Sequence, residues 1–133
     1  MKQEQKDLLL KDLCARLPYG VVIQEKCVEQ DETFLPNTAG DRLVNIDANA
    51  DLLMTNCGSW YYLDEIKPYL FPMSSMTEEQ YDEMSDILHT ICHSGYAHYF
   101  AHKLIDWYNK NHFDYRGLIP MGLAIDATGK NIY

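Results

Sequence analysis

LVNIDANADLLMTNCGSWYYL, residues 43–63, is the stretch whose reading decides the fold. Leu43-Val44-Asn45-Ile46 and Leu52-Leu53-Met54-Thr55 are short apolar runs on either side of the polar turn 47–51. Asn56-Cys57-Gly58-Ser59 turns the chain again, and Trp60-Tyr61-Tyr62-Leu63 follows as an aromatic run. Branched and aromatic side chains suit a pleated, half-buried surface, and the Gly/Asn/Asp clusters between them suit turns. Three antiparallel strands are therefore predicted here.

Upstream, residues 19–28 keep the same period of two, with Val21, Ile23 and Cys27 alternating with Gln24 and Lys26. Gln30-Asp31-Glu32 reads as a turn and Thr33-Phe34-Leu35 as a brief strand, stopped by Pro36-Asn37 and the Gly40-Asp41 turn. Five short strands in succession predict a small, strongly curved antiparallel β-meander or SH3-like barrel over residues 19–63. Parallel βαβ topology is disfavoured, because no helix-length connection separates these strands. Before them, Leu9, Leu10, Leu13 and Leu17 recur near the helical period, which predicts a helix over residues 4–17 ended by Pro18.

Downstream, Pro68 and Pro72 break the apolar run 64–76 into an irregular strap whose aromatics bury against the barrel. Thr77 and Gln80 form a capping box, and Glu78 and Glu79 suit the positive end of a helix dipole. Tyr81, Met84, Ile87, Leu88 and Ile91 continue at helical spacing up to Ser94-Gly95. A second helix over residues 96–111 turns Phe100, Leu104, Trp107 and Tyr108 inward. The predicted whole is a single α+β domain: a β part, the strap, an α-hairpin over residues 77–111, and a docking segment with a loose tail over residues 112–133.

The chain has 133 residues, which places it in the range of one domain, and folding should bury roughly two-thirds of its unfolded surface. The net charge of −9 argues against direct nucleic-acid binding, which calls for a basic patch that displaces counterions. It fits a soluble protein, or one that meets a basic partner. Four cysteines without a C-x-x-C pair, no secretory leader and no membrane-length apolar run predict buried free thiols in a cytoplasmic protein.

Three constellations could carry chemistry. His89, His93, His98 and His102, with Cys92 and Asp106 near them, place two histidine pairs four residues apart, a spacing that puts each pair on one helix face. If the hairpin joined those faces, four ligands could suit zinc, although no H-E-x-x-H or finger spacing is present. Asp64, Glu65 and the acids between Glu78 and Asp86 could serve acid–base chemistry, or simply cap helices. In His112-Phe113-Asp114-Tyr115-Arg116-Gly117, the Arg116 fork suits a carboxylate or a phosphate. Two readings follow. Arg116 pairs with Asp114 or an upstream acid while Phe113, Leu118 and Ile119 dock, or Trp107, His112, Tyr115 and Arg116 wall a pocket for a small anionic or planar ligand.

The strings Ile66-Lys67-Pro68-Tyr69-Leu70-Phe71-Pro72-Met73-Ser74-Ser75-Met76-Thr77-Glu78-Glu79, Asp106-Trp107 and His112-Phe113-Asp114-Tyr115-Arg116-Gly117-Leu118-Ile119 resemble a family of small uncharacterised proteins. Its members occur in phages, prophages and mobile elements of gut Bacteroidales. The resemblance implies an accessory product made in the bacterial host, and no catalytic residue or cofactor carries over from it. The leading expectation is a non-enzymatic protein that binds a host protein, for example to antagonise defence. The alternatives are a nucleotide-signal binder using Arg116 and a metal-dependent enzyme on the histidines. No cofactor and no membrane contact are expected, and a homo-oligomer is compatible with the composition.

Overall fold

The computed structural model describes residues 1–26 and 41–133. The expected strand Thr33-Phe34-Leu35, its flanking turns and Cys27 lie outside the described residues. In chain order the elements are α1 (Gln3–Arg16), β1 (Val22–Glu25), β2 (Asp41–Asp47), β3 (Leu52–Thr55), β4 (Trp60–Tyr62), β5 (Ile66–Leu70), α2 (Glu78–His93), α3 (Ala97–Lys110) and β6 (Ile125–Asp126). The class is mixed α+β, with three helices and one six-stranded sheet among the described residues.

That sheet stays open and does not close into the expected barrel; its order is β4-β3-β2-β1-β5-β6. The run 43–63 does form the antiparallel ladder read from it, with Ile46 opposite Leu53 and Leu53 opposite Tyr61. After β4, however, a 3₁₀ turn over Leu63–Glu65 carries the chain across to the other edge of β1. There β5 pairs with β1, Ile23 opposite Pro68 and Glu25 opposite Ile66. The expected strap thus contains a strand. Its proline is tolerated because β6 reaches only Tyr69 and Leu70, so Pro68 has a strand partner on one side alone. The β5–β6 pair is parallel, and its crossover contains both α2 and α3, the helix-length connection that a parallel pair requires.

Alternation along the strands builds a core on each face. On one face, Leu9 and Leu13 of α1 meet Val21, Ile23, Leu43, Leu53, Leu63, Ile66, Leu70, Leu118, Leu123 and Ala124. On the other, Val22, Tyr69 and Ala127 pack with Phe71, Ile125 and Ile132. The last residues are not the expected loose tail: the Tyr133 hydroxyl donates to the Tyr69 carbonyl at 2.7 Å and accepts from the Val22 amide at 2.9 Å.

Helix α2 begins as its sequence dictates. The Gln80 amide donates to Thr77 Oγ1 at 3.1 Å, and the Thr77 amide donates to Gln80 Oε1 at 2.9 Å. Packing departs from expectation: Tyr81 and Leu88, placed inward by periodicity, are exposed, and in α2 and α3 only Ile91 and Asn109 are buried. The two helices touch through Trp107 Nε1, which donates to Glu83 Oε2 at 3.1 Å, and through Tyr108 against Met84. Cys14, Cys57 and Cys92 are free thiols as read, but exposed rather than buried. A hydrogen bond with Thr55 is the main cause that lowers the Cys57 thiol below its ordinary range. Among the described residues no helix is long and apolar enough to cross a membrane.

Candidate functional site: a buried arginine cluster

The site begins with two side chains of α1 that occupy its apolar stripe. Leu9, Asp12, Leu13 and Arg16 share one helix face by spacing, and all four are inaccessible to solvent. Arg16 Nε donates to Asp12 Oδ2 at 2.7 Å and its Nη2 to Oδ1 at 3.2 Å. The same Nη2 also donates to the Phe113 carbonyl at 2.6 Å, which ties the helix to the segment after α3. A buried ion pair is held only where its remaining groups find hydrogen bonds, and the Phe113 carbonyl supplies one.

Arg116 completes the arrangement. Its Nε lies 3.2 Å from Asp12 Oδ1, an ion pair whose N–H is not aligned for a hydrogen bond. Its Nη2 donates to the Tyr115 hydroxyl at 3.2 Å. Both guanidiniums lie near the Tyr115 ring, Arg16 at 5.3 Å and Arg116 at 5.0 Å from its centroid, within cation–π range. Tyr108 stacks on the same ring at 5.5 Å. The acid that takes Arg116 is therefore Asp12, far upstream. Asp114 is occupied elsewhere, accepting from the Leu118 amide at 2.8 Å and the Ile119 amide at 2.9 Å.

His112 sits beside the pair in a left-handed backbone conformation, with φ at 60°. Its ring stacks on Tyr133 at 3.6 Å between centroids and 11° between planes. Its carbonyl accepts from the Phe71 amide at 2.8 Å, and the Phe71 carbonyl accepts from the Asp114 amide at 2.8 Å. Segment 112–114 thus continues the sheet beyond β5 as a parallel bridge between Phe71 and Phe113. Burial, reinforced by Arg16 and Arg42, pushes the imidazole down to about 4. The native state then rejects a proton that an unfolded histidine accepts near 6.5, so this contribution is complete above pH 6.5 and is lost as pH falls toward 4. Between pH 7 and pH 4.5 the loss should be about 2–3 kcal/mol. It is measured as the difference in acid sensitivity of denaturant midpoints between wild type and His112→Phe, which keeps a ring against Tyr133.

The four residues expected to wall a pocket are neighbours with separate partners. Trp107 stacks on Phe113 at 5.5 Å, His112 stacks on Tyr133, and Tyr115 and Arg116 belong to the Asp12–Arg16 cluster. The helical histidines are not gathered into a ligand set. His89 and His93 stack at 3.9 Å, His102 Nδ1 lies 2.8 Å from the Tyr99 carbonyl, and no group of three or more His, Cys, Asp or Glu among the described residues could hold a metal ion. Of the carboxylates singled out by sequence, Glu65 accepts from the Tyr62 amide at 2.8 Å, and Glu83 takes the indole of Trp107 from α3.

Sequence reasoning missed Asp12 and Arg16. The available signal was a charged pair at i, i+4 falling on the stripe of Leu9 and Leu13, where a solvated pair has no place. No protein-family model, curated protein or solved structure matches this chain.

Proposed function

We propose that the protein is a non-enzymatic accessory protein that acts by binding another protein, with the α2–α3 pair as its contact surface. The observation that carries this reading is the burial of only Ile91 and Asn109 in those two helices, while Tyr81, Tyr96 and Tyr99 are 58%, 64% and 66% exposed. Helices draw most of their stability from burying an apolar face, and this pair leaves much of that face open. Tyrosine and other aromatics are enriched where proteins meet, and truncating such anchors often removes most of the affinity.

Charge suggests the partner's chemistry. Glu78, Glu79, Asp82, Glu83 and Asp86 are exposed on α2, so aromatic anchors lie beside an acidic rim that a basic surface would complement. The setting implied by the family resemblance makes the partner a protein of the host bacterium, met in its cytoplasm.

Affinity capture from host lysate at physiological salt, with wild type and with Tyr96→Ala/Tyr99→Ala, tests the reading. The expected result is one specific partner, bound at least about tenfold more weakly by the double variant. Failure to recover a partner, equal recovery by both proteins, or a second copy of this chain as the occupant would overturn it.

A further inference from the structure

All three arginines of this acidic chain, Arg16, Arg42 and Arg116, come from separate elements toward one region. Arg16 and Arg116 share Asp12, and Arg16 holds the carbonyl next to His112. Arg42 stands directly across the ladder from Val22, whose amide donates to Tyr133, the residue on which His112 stacks. Its side chain also lies over Gly20, which follows the 3₁₀ turn Leu17–Tyr19 after α1, where an added Cβ would sit 3.8 Å from Arg42 Nη1. Among the described residues Asp12 is the carboxylate that pairs with Arg16 and Arg116, so one carboxylate serves two guanidiniums and positive charge at that pair is in excess.

Three nitrogens there are buried without a hydrogen-bond partner among the described residues: Arg116 Nε, which has only its ion pair with Asp12, Arg16 Nη1, in a side chain with no solvent exposure, and His112 Nδ1, in a residue only 9% exposed. A buried guanidinium N–H left unmatched carries a desolvation cost, and that cost is removed by an acceptor, best of all a charged one. Guanidinium forks match phosphate geometry, and a dianion matches the excess charge better than a single carboxylate does.

We propose that Arg16, Arg42, Arg116 and His112 form a binding site for the phosphate group of a small ligand. Arg16 Nη1 and the His112 ring are its buried donors, the latter in its Nδ1–H tautomer, while Arg42 and Arg116 hold the solvent side. Arg116 is 21% exposed, which puts the solvent side of the cluster there. The Tyr115 ring is already engaged by both guanidiniums and Tyr108, so affinity comes from the phosphate rather than from a stacked base. This site is separate from the α2–α3 surface and stands or falls independently of the partner-binding reading.

The test is thermal unfolding with inorganic phosphate and, in a parallel arm, a nucleoside monophosphate, against sodium chloride of matched ionic strength. Wild type, Arg42→Gln and Arg116→Gln are compared by the change each ligand produces. At ligand about ten times its Kd, the wild-type melting temperature should rise by about 5 °C. Each variant should lose most of that rise, and the arm with the larger rise names the source of the phosphate. Because Arg116→Gln also loosens Asp12, the His112 ring resonances of wild type are followed by NMR through the same titrations. Absence of a rise in both arms, equal rises in wild type and variants, or His112 resonances unmoved by saturating ligand would each overturn the proposal.

Discussion

Asp12→Ala is expected to destabilise the fold by about 3–5 kcal/mol, measured as a lower denaturant midpoint with little change in slope. The reason is what remains after the substitution. Arg16 has no solvent exposure and would keep its charge with the Phe113 carbonyl as its one hydrogen-bond acceptor among the described residues, beside the Tyr115 ring. Arg116 would lose its ion pair too, but being partly exposed it can turn toward water. A second variant separates charge from packing. Asp12→Leu combined with Arg16→Met removes both charges in place and should recover much of the loss, since the Phe113 carbonyl keeps the Tyr115 amide at 3.1 Å and Arg116, partly exposed, is the one charge left to turn toward water. A cost below about 1 kcal/mol for Asp12→Ala would mean that the pair does not anchor α1 to the C-terminal segment. Typical domains hold only about 5–15 kcal/mol in total, so the expected loss is a large share of the whole.

Phe113→Ala should cost about as much, roughly 3–5 kcal/mol by the usual range for deleting a buried aromatic. Phe113 is 1% exposed and touches two ring systems, Trp107 at 5.5 Å and Phe71 at 6.3 Å. Its backbone holds the same junction, since its amide donates to the Tyr108 carbonyl at 2.9 Å and its carbonyl accepts from Arg16. The side chain therefore joins the end of α3 to the end of β5, and a cavity there loosens both. Phe113→Leu keeps part of the volume and gives up mainly ring stacking, worth about 0.5–1.5 kcal/mol per pair, so its cost should be clearly smaller. Tryptophan emission gives a local readout. Trp107 lies against Phe113, whereas Trp60 is 48% exposed on the sheet edge, so the emission change in Phe113→Ala should come from Trp107. Unaltered emission together with an unchanged midpoint would contradict this role.

The residues singled out at the candidate site were legible in part. Trp107, His112, Tyr115 and Arg116 stand out in sequence because aromatics, an acid and an arginine crowd a short segment between glycines. What the sequence hides is that Tyr115 and Arg116 find partners at the other end of the chain, in Arg16 and Asp12. A guanidinium reads identically whether solvated or buried, and only the docking of α1 onto the sheet reveals that Asp12 and Arg16 are inaccessible. The histidine series shows the opposite case. Spacing alone puts His89 near His93 and His98 near His102, but whether two helices turn those faces together is a tertiary property, and here they do not form a ligand set.

Local chemistry by itself determined the capping box at Thr77 and Gln80, the strands of the 43–63 run with their turns, the helix at the start of the chain, and the mixed α+β class. Each depends on neighbours a few residues apart, where side-chain period, missing donors and turn preferences act directly on the backbone. Tertiary structure alone decided that β5 joins the far edge of β1, that the sheet stays open, that Tyr133 is drawn in to bind Val22 and Tyr69, and that α2 and α3 keep tyrosines in water. Those outcomes turn on which strand edge is free and which surfaces cover each other. They are settled by the burial of residues distant in sequence, which no local pattern encodes.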